Sequence, residues 1–557
     1  MKISFMPEIS VLFKLAQMKK NLERLVIATL ILSITLVMQL SLAGTIPKAM
    51  ADTPKTDFNG DTYADLAIGV PREGINGNQD AGLVNIIYGS TSGLSATAVP
   101  DQRFFQDSAG VADVSEVDDH FGAAVAAGDF NNDGYSDLAI GAPDEDVGPS
   151  VDAGAVSVIY GSQFGLSATL KIPDQFWHQN SANVEGFVDT SEHFGTALGA
   201  GDFNNDGFDD LAIGSPLDYV DSIGGAGSVN ILYGGSSGLS ATGIPDQFWH
   251  QNSANVEDTI EFGDHFGASL TTGHFNDDDY ADLAVGVPDE DINGKANAGS
   301  VNVIYGSSLG LSATAVPDKR FFQDSPGVEG ISDSGDHFGV AVASGDFNGD
   351  GTDDLAIGVV DEFVSDSQAN IIFGSSFGLS PTATLADQLL EIFQSNCGEP
   401  LDFTSLSSGD FNNDGFDDLA FGSVGDNNCA SSATPGSASV LFGSGTGFTP
   451  TPDPDFGSTP NQYFQGHSKS GGFGRALATE DFNGDGYDDL VIGEPAYDPN
   501  YWSTYPGSPG PFTVYGGITS GYGSSGGISG PLQIWTQNTA NVEDTAEHQD
   551  SFGRSLT

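Results

Sequence analysis

One short acidic motif recurs seven times along the chain and constrains its fold more than any other feature of the sequence. The copy at residues 128–143, GDFNNDGYSDLAIGAP, joins a cluster of carboxylates to a short apolar segment that ends in Gly and Pro. The seven copies are spaced 64 to 73 positions apart and begin at Asp57, Asp129, Asp202, His274, Asp346, Asp410 and Asp481. Such a period predicts an array of similar structural units.

Each repeat contains four short segments with the composition of β-strands. In the second repeat these are FGAAVAAGDF (121–130), DLAIGAP (137–143), GAVSVIYG (154–161) and QFWHQ (175–179). Four strands at this period favour a propeller blade over a solenoid coil. We therefore predict an all-β fold, a seven-bladed β-propeller of four-stranded antiparallel blades that occupies residues 52–557.

The two ends of the chain together make one complete repeat. The copy at Asp57 has no Phe-Gly segment before it, and the chain stops at SFGRSLT (551–557), before the next acidic loop. Pairing of the C-terminal strand with the three N-terminal strands would close the ring and remove exposed strand edges. The alternative is that the sequence is a fragment cut inside an eighth repeat.

The composition is acidic and rich in glycine. The chain of 557 residues has 16 Lys and Arg against 77 Asp and Glu, a formal net charge of −61, and 75 Gly. This balance suits strands joined by tight turns and argues against nucleic acid as a partner, because phosphate binding needs a basic surface. The excess charge is either solvated or neutralised by bound cations.

The N-terminus has the pattern of a signal peptide, which we assign to residues 1–51. MKKNLER (18–24) supplies positive charge, residues 25–43 are apolar, and AMA (49–51) is a small-residue cleavage site. Translation could start at Met18. The alternative is that the apolar run is retained as a membrane anchor, since its length can span a bilayer. After cleavage we expect no membrane span.

The acidic loops have the spacing of a metal site. Positions 1, 3, 5 and 9 of the second loop are Asp129, Asn131, Asp133 and Asp137. Gly134 at position 6 suits a turn with positive φ. This is the ligand order of an EF-hand loop, in which residue 7, here Tyr135, binds through its carbonyl. Oxygen ligands without His or thiolate favour Ca²⁺. A single loop of this kind could be a surface turn, but five in register predict metal sites.

We expect about five strong calcium sites, and up to seven. The complete loops, with the position-7 carbonyl included, are Asp129, Asn131, Asp133, Tyr135 and Asp137; Asp202, Asn204, Asp206, Phe208 and Asp210; Asp346, Asn348, Asp350, Thr352 and Asp354; Asp410, Asn412, Asp414, Phe416 and Asp418; and Asp481, Asn483, Asp485, Tyr487 and Asp489. Two loops are weakened. The first keeps Asp57, Asn59, Asp61 and Asp65 but has Thr62 at the glycine position. The fourth has His274 at position 1 and Asp279 at the glycine position, which leaves Asn276, Asp278 and Asp282.

These motifs resemble the FG-GAP repeat family, and the series is similar to the propeller of integrin alpha chains and their bacterial, secreted relatives. The resemblance covers essentially all of residues 52–557 and rests on HFGAAVAAGDFNNDGYSDLAIGAP (120–143) and its copies. The sixth repeat departs from it, with Phe403 not followed by Gly. The resemblance implies calcium in the loops of one face and ligands on the other. No later integrin domain follows, so an integrin heterodimer is not expected.

Some features are not part of the repeat. Cys397 and Cys429 lie at the same end of the sixth blade, so a disulfide is plausible in an exported protein, with two free thiols as the alternative. The seventh blade carries PAYDPNYWSTYPGSPGP (495–511), whose aromatic residues suit sugar stacking or a protein contact. They either form a ligand-binding loop or pack over the central channel, and they are Tyr497, Tyr501, Trp502 and Tyr505.

Four histidines precede Phe-Gly, each directly after an acidic residue: His120, His193, His265 and His337. An Asp–His pair can be catalytic, but its presence in four blades favours a structural role, since catalysis needs one convergent constellation. The nearly identical segments 173–185 and 245–257 favour outer-strand packing.

The sequence therefore predicts an exported calcium-binding propeller, secreted or at the cell surface, that acts as an adhesion or ligand-binding module. Its partner would be an extracellular protein or polysaccharide, with a monomer as the default state and no enzymatic activity. One alternative is a propeller enzyme, a lyase or hydrolase that acts on polysaccharide. Another is a structural segment of a larger surface protein.

Overall fold

The structure, a computed structural model, describes residues 56–557 except 98, 361–365, 383–384, 395–401, 425–435, 449–450, 454–456, 460–461, 466–471, 496–511, 516–527, 529–532, 536, 538, 540–541 and 543–550. All of these residues belong to one unit, Pro54–Thr557. The predicted signal peptide (1–51), Cys397, Cys429 and the aromatic loop with Tyr497, Tyr501, Trp502 and Tyr505 lie outside the described residues. Their assignments remain predictions.

Thirty strands account for the regular secondary structure of the described residues. They are β1 Leu66–Val70, β2 Leu83–Ile87, β3 Gln102–Phe104, β4 Ala124–Gly128, β5 Asp137–Ala142, β6 Ala155–Ile159, β7 Gln175–Trp177, β8 Ala197–Gly201, β9 Asp210–Ser215, β10 Ser228–Leu232, β11 Gln247–Trp249, β12 Ser269–Gly273, β13 Asp282–Val287, β14 Ser300–Ile304, β15 Lys319–Phe321, β16 Val342–Gly345, β17 Asp354–Val360, β18 Asp366–Ile372, β19 Gln388–Gln394, β20 Asp402–Gly409, β21 Asp418–Val424, β22 Ser437–Leu441, β23 Thr451–Asp453, β24 Gly457–Thr459, β25 Gln462–Gln465, β26 Leu477–Glu480, β27 Asp489–Ile492, β28 Phe512–Tyr515, β29 Gln533–Trp535 and β30 Ser555–Leu556.

The strands form seven four-stranded antiparallel sheets, which we number as blades in chain order. Blade 1 contains β30, β1, β2 and β3, and blades 2 to 5 each use four consecutive strands from β4 to β19. Blade 6 contains β20, β21, β22 and β25, with the ribbon β23–β24 inserted, and blade 7 contains β26 to β29. The predicted β-propeller with four-stranded antiparallel blades is confirmed. Segments 173–185 and 245–257 contribute the outer strands β7 and β11, as predicted.

The hydrophobic core lies between neighbouring blades. The second and third strands of blade 2 are buried along their whole length. Both faces of the sheet are therefore covered, which explains why these strands are largely apolar. One cluster joins Val84 and Ile86 of blade 1 to Leu138 and Ile140 of blade 2. Phe58, from the acidic loop of blade 1, packs into the same cluster and is fully buried. Each acidic loop is therefore anchored by an apolar side chain next to its carboxylates.

Close backbone contact between blades explains the glycines of the repeat. A Cβ atom on Gly141, in the second strand of blade 2, would lie 2.1 Å from the carbonyl oxygen of Gly195 in blade 3. Gly195 in turn donates its N–H to the carbonyl of Gly214 at 3.0 Å within blade 3. The same relation links Gly69 to Gly122 and Gly214 to Gly267. Neighbouring blades thus approach at a distance that no side chain allows.

The last strand of the chain completes the first blade. β30 pairs with β1 through Ile68↔Leu556 and Gly69↔Ser555, and Phe552 is fully buried in a cluster with residues of blades 1 and 7. β30 also contacts β26 and β4, the first strands of blades 7 and 2. The predicted pairing of N- and C-terminal strands is confirmed. Within the described part of the chain, no helix has the length and hydropathy needed to cross a membrane.

We predict that Gly141→Ala lowers the free energy of unfolding by about 1–3 kcal/mol, because the added methyl group meets the backbone of the next blade. Gly243→Ala is the control, since a Cβ atom there meets nothing within 4 Å. Urea unfolding of both variants measures the difference. Equal unfolding midpoints for the two variants would show that the blades can separate to admit a side chain.

Candidate metal centre

The first aspartate of each complete acidic loop is held by the amides of its own loop. Asp129 accepts the N–H of Asp133 at 3.1 Å and of Gly134 at 2.9 Å. Asp202, Asp346, Asp410 and Asp481 accept the same two amides in their own loops. The loop backbone therefore turns around this carboxylate, which is the arrangement that an EF-hand-like ligand at position 1 requires.

The ninth residue of the loop is fixed by the sheet. Asp137 opens β5 and is fully buried. It accepts Asn131 Nδ2 at 2.9 Å and the N–H of Gly161, just after the third strand, at 2.8 Å. Asp210 accepts the N–H of Phe203 at 3.0 Å and that of Gly234 at 2.8 Å. These bonds fix the buried carboxylate at the junction of loop and sheet.

Position 3 contacts position 9 in the other four complete loops as well. The Nδ2 atoms of Asn204, Asn348, Asn412 and Asn483 donate to the carboxylates of Asp210, Asp354, Asp418 and Asp489 at 3.3, 3.0, 3.2 and 2.9 Å, respectively. The structure thus brings positions 3 and 9 together, as the spacing predicted. It shows the asparagine as a donor to this carboxylate, so the predicted role of each Oδ1 atom as a metal ligand remains a prediction.

Position 5 departs from the uniform ligand set that the sequence predicts. In four complete loops this aspartate is exposed and accepts the N–H of position 7 at 3.1 Å, in the pairs Asp206 with Phe208, Asp350 with Thr352, Asp414 with Phe416, and Asp485 with Tyr487. Asp133 is more enclosed, because Lys171 contacts one of its oxygen atoms and the other is buried. The five loops are therefore not equivalent, and metal binding by the four exposed aspartates remains a prediction.

The aromatic rings of Phe416 and Tyr135, at position 7, pack away from their own loops. A Cβ atom on Gly349 would lie 2.5 Å from the ring of Phe416, and one on Gly60 would lie 2.6 Å from the ring of Tyr135. Each ring thus covers position 4 of the preceding loop. Thr352 differs, because its side chain hydrogen-bonds Asp350 in its own loop. Metal binding through the backbone carbonyl, the role expected of position 7, remains a prediction for Tyr135, Phe208, Thr352, Phe416 and Tyr487.

The weakened first loop keeps the same hydrogen bonds without its glycine. Asp57 accepts the N–H of Asp61 at 3.1 Å and of Thr62 at 2.8 Å. Asn59 Nδ2 lies 3.4 Å from Asp65, a longer contact than in the complete loops measured above. Thr62 adopts a φ of 76°, which is unfavourable for a β-branched residue. The first loop therefore keeps the backbone shape of the complete acidic loops, but Thr62 is held in a strained conformation.

Burial makes the position-9 carboxylates costly to ionise in the absence of a cation. The pKa of Asp137 is raised to about 8, mainly by burial and in smaller part by the nearby Asp129 and Asp133, while the N–H of Gly161 opposes the shift. Burial also raises the pKa of Asp210 and of Asp418 to about 9. A bound cation would remove this penalty, because it favours the ionised form of each ligand.

The donor set of the second loop fits a hard cation. Asn131 Oδ1 and Asp133 Oδ1 are buried, and no hydrogen-bond donor contacts either atom in the described part of the chain. Buried oxygen atoms without a donor also occur elsewhere in the described residues, and it is the position of these two beside loop carboxylates that indicates an ion or a water. Together with the carboxylates of Asp129 and Asp137 they form an all-oxygen set, which is the kind that Ca²⁺ prefers.

The backbone of the loops shows one requirement that the sequence analysis missed. Position 6 has positive φ in six loops, including Gly134 at 85° and Thr62 at 76°. Position 4 also has positive φ in all seven loops, at Gly60, Asn132, Asn205, Asp277, Gly349, Asn413 and Gly484. The signal was present, because Gly, Asn and Asp are the residues that best tolerate this conformation.

The fourth loop differs in the way that its sequence suggests. His274 Nδ1 lies 3.0 Å from the carbonyl oxygen of Tyr280, the position-7 atom that would bind calcium. Asp279, at the glycine position, is absent from the residues with positive φ. His274 thus contacts an oxygen atom that would otherwise be free to bind calcium, and it supplies no carboxylate of its own. The expectation that the site of Asn276, Asp278 and Asp282 is weak or empty remains a prediction.

Position 8 of the loops, which the sequence analysis did not consider, links each loop to the preceding blade. The N–H of Asp209 donates to the carbonyl of Asp129 at 3.2 Å, and its carboxylate accepts the N–H of Asp129 at 2.8 Å. Asp417 and Asp488 bond to Asp346 and Asp410 in the same reciprocal way. The backbone part of this contact recurs in all seven loops. The candidate metal loops are therefore joined in a ring.

The four histidines form two clasps at the other end of the blades. His120 Nδ1 and His193 Nδ1 both contact the carboxylate of Asp144, the latter at 3.0 Å. His265 and His337 share Asp289 in the same way. The acidic residue before each histidine is not its partner, because Asp119, for example, caps the N–H of Glu116 instead. Each clasp joins two neighbouring blades.

The two clasp aspartates are ionised. Burial alone would raise the pKa of Asp144, but the hydrogen bonds from His120 and His193 outweigh it and lower the pKa to about 2. The pKa of Asp289 is lowered in the same way by His265 and His337. The clasps resemble structural ion pairs, which supports the structural interpretation of the four histidines.

Comparison with known proteins gives one family and two groups of relatives. A family model described as FG-GAP repeat matches residues 55–86, 121–159, 194–232, 266–304, 338–369, 403–441 and 473–515. The chain is 36% identical over 162 residues to phosphatidylinositol-glycan-specific phospholipase D of Rattus norvegicus, which covers 29% of this chain and 18% of that protein. It is 29% identical over 266 residues to Integrin alpha-PS2 of Drosophila melanogaster, and this match covers 46% of this chain and 16% of that protein.

The matches are partial for both groups of relatives, since the chain spans about a fifth or less of their length. Among solved structures, the Dos1 propeller is 11% identical with a TM-score of 0.35 and covers 72% of this chain and 67% of that chain. The exotype rhamnogalacturonan lyase YesX is 11% identical with a TM-score of 0.33 and covers 75% and 66%. Scores this low carry no functional argument.

We predict that Asp137→Asn reduces the stabilisation of the chain by calcium by about one site. A site with a Kd near 10 µM adds about 2.7 kcal/mol at about 1 mM calcium. The loss appears as a smaller difference between melting temperatures with calcium and with chelator. Asp282→Asn is the matched control, because it changes the same position in the weakened fourth loop. Equal losses in the two variants would contradict the assignment.

The raised pKa values also predict different pH dependences with and without metal. Between about pH 4 and about pH 8 the metal-free folded state binds more protons than the unfolded state, so the free energy of unfolding falls as pH rises. Bound calcium keeps the same carboxylates deprotonated, so with saturating calcium they contribute almost no slope between about pH 5.5 and about pH 8. Thermal melts at these two pH values, in chelator and in calcium, measure both slopes. Equal falling slopes in chelator and in calcium would be inconsistent with metal in the loops.

Proposed function

The chain belongs to the FG-GAP repeat family, and we propose that it is an exported, calcium-stabilised, seven-bladed propeller that binds an extracellular protein or polysaccharide. Export rests on the signal-peptide pattern of residues 1–51. The similarity to integrin alpha chains favours adhesion as the kind of function. The monomer is the simplest state, since the closed ring leaves no inner strand unpaired.

The observation that carries the calcium part is the second acidic loop. Its fully buried Asp137 lies beside Asn131 and Asp133, each with a buried oxygen atom that contacts no donor among the described residues. Lys171 pairs with the other oxygen of Asp133 at 3.1 Å, but its side chain is mostly exposed and one ammonium group does not balance three carboxylates. A divalent cation in this loop supplies the missing charge and the missing contacts.

The two ends of the propeller have different tasks in this proposal. In a four-stranded antiparallel blade, the loops from the first to the second strand and from the third to the fourth lie at one end. The loops from the second to the third strand, and the connections from the fourth strand to the next blade, lie at the other. We call these the calcium end and the opposite end. Rigid loops at the calcium end leave the opposite end for ligands.

Exposed aromatic side chains occur at both ends. Phe187 and Phe262, in the connections that enter blades 3 and 4, are 87% and 86% exposed at the opposite end. Phe164 and Phe377 are similarly exposed at the calcium end. Aromatic side chains in such positions suit a protein contact or sugar stacking. The two pairs allow the ligand-binding end to be tested directly.

An enzyme is the second candidate, since the relatives include proteins named as a phospholipase D. The described titratable groups favour binding over catalysis. The four histidines of the clasps already contact carboxylates in pairs, two of them at Asp144 and two at Asp289. A catalytic site needs one constellation of groups that converges on a substrate.

The test is a binding screen of the purified chain against extracellular polysaccharides and surface proteins, with calcium and with chelator, in which each ligand is recovered and analysed. We expect binding that needs calcium and leaves the ligand intact. Phe187→Thr with Phe262→Thr should weaken binding at least about tenfold, by analogy with interface anchor residues. These changes copy Thr259 and Thr190, the residues at the same places in the neighbouring repeats.

Phe164→Ser with Phe377→Ser is the matched control at the calcium end and should bind as the unaltered chain does. Loss of binding only in this second pair would move the ligand site to the calcium end and contradict the division of tasks. A cleaved ligand would replace the binding function with an enzymatic one.

A further inference from the structure

A cluster of three metal-binding side chains lies at the opposite end, where blade 1 meets blade 2. One ring nitrogen of His120 and one carboxylate oxygen each of Asp80 and Asp118 lie within 4.8 Å of one another. Asp80 is in the loop between β1 and β2, and the other two residues precede β4. The N–H of His120 donates to the carbonyl of Asp80 at 3.1 Å, and that of Asp118 to Gln79 at 3.0 Å. Backbone bonds therefore hold the two segments together.

A residue outside the cluster orients the imidazole. The Nδ1 atom of His120 contacts a carboxylate oxygen of Asp144, which accepts, so Nδ1 carries the hydrogen. The Nε2 atom is then the nitrogen with a lone pair for a cation. Metal-bound histidines commonly donate their other ring N–H to a carboxylate, which fixes the tautomer and raises the basicity of the ligand. His120 has this arrangement.

The repeats show that the cluster is an addition to a common scaffold. The residues at the three corresponding places are Asp152, Ser191 and His193 in the next repeat, then Gly225, Gly263 and His265, then Asn297, Gly335 and His337. All twelve residues have positive φ, so the backbone is the same at the four junctions. Only the first of these four junctions combines the histidine with two carboxylates. The pair of aspartates is therefore not needed to build the junction.

The charge around the cluster favours a cation. The carboxylates of Asp80, Asp118 and Asp144 lie around the imidazole of His120, and Arg72 is a positive charge that acts on it. One arginine does not offset the two cluster carboxylates and Asp144.

We propose that Asp80, Asp118 and His120 bind a zinc ion, at a site separate from the calcium loops. One imidazole with two carboxylates is a ligand set for a borderline transition metal, whereas calcium prefers oxygen alone. Ligand atoms at about 2.0–2.2 Å from a tetrahedral zinc lie about 3.3–3.6 Å apart, so closing the cluster needs at most about 1.5 Å of approach between any two ligand atoms. Three protein ligands leave a fourth position for water or for a carboxylate of a bound partner.

The experiment is a zinc titration of the purified chain at about pH 8, where protons compete least for the ligands. Calcium at about 1 mM stays present throughout, so that the acidic loops do not take up zinc. A chromogenic zinc chelator serves as the competitor. Asp118→Ser copies the neighbouring repeat at an exposed position, and Ser191→Asp transfers the missing carboxylate to the junction of Asp152 and His193. Thermal melts in calcium check that both variants are folded.

We expect the unaltered chain to bind one zinc ion that competes with the chelator. Asp118→Ser should weaken this binding at least about tenfold, as loss of one of three ligands requires, and Ser191→Asp should add a second zinc ion. The proposal is overturned if the unaltered chain takes up no zinc, or if Asp118→Ser binds as the unaltered chain does. It is also overturned if Ser191→Asp adds none, because the two junctions share one backbone.

Discussion

A buried carboxylate at the start of the second strand of each blade is the constraint on which the rest of the fold depends. Asp137 and its six counterparts are at most 1% exposed, and they are Asp65, Asp210, Asp282, Asp354, Asp418 and Asp489. In six blades this carboxylate accepts the N–H of the glycine that follows the third strand. One side chain thus connects the acidic loop, the second strand and the third strand. An ionised carboxylate is stable there only if its charge is compensated.

The ring of position-8 contacts extends this connection from one blade to the next. Because Asp209 bonds to Asp129 through both its backbone and its side chain, the geometry of one loop depends on its neighbour. The glycine contacts between Gly141 and Gly195 hold the inner parts of the blades equally close. We therefore infer that a cation in one loop stabilises the adjacent blade as well as its own.

Much of the architecture could be predicted from the sequence, because the repeat presents the same local pattern seven times. The four strands per blade, the completion of blade 1 by β30 and the meeting of Asn131 with Asp137 all follow from local spacing. The enclosure of Asp133 could not be predicted, since it depends on Lys171, 38 residues further along the chain. The clasps could not be predicted either, because Asp144 lies 24 residues after His120 and is shared with His193 only once blades 2 and 3 are side by side.

The opposite end of the propeller varies from blade to blade while the acidic loops repeat, and this contrast is the basis for proposing that one end stabilises the fold and the other binds the ligand. The acidic loops keep their spacing in every blade, whereas the residues at the corresponding places of the opposite end change from Asp118 to Ser191 and from Val114 to Phe187. The most direct measurement of the central claim is the number of calcium ions per chain after equilibrium dialysis against about 1 mM calcium, by elemental analysis with the calcium of the dialysate subtracted. The account predicts at least five and at most seven. Two or fewer would mean that the loops are stabilised without metal, and the compensation of their buried carboxylates would need another explanation.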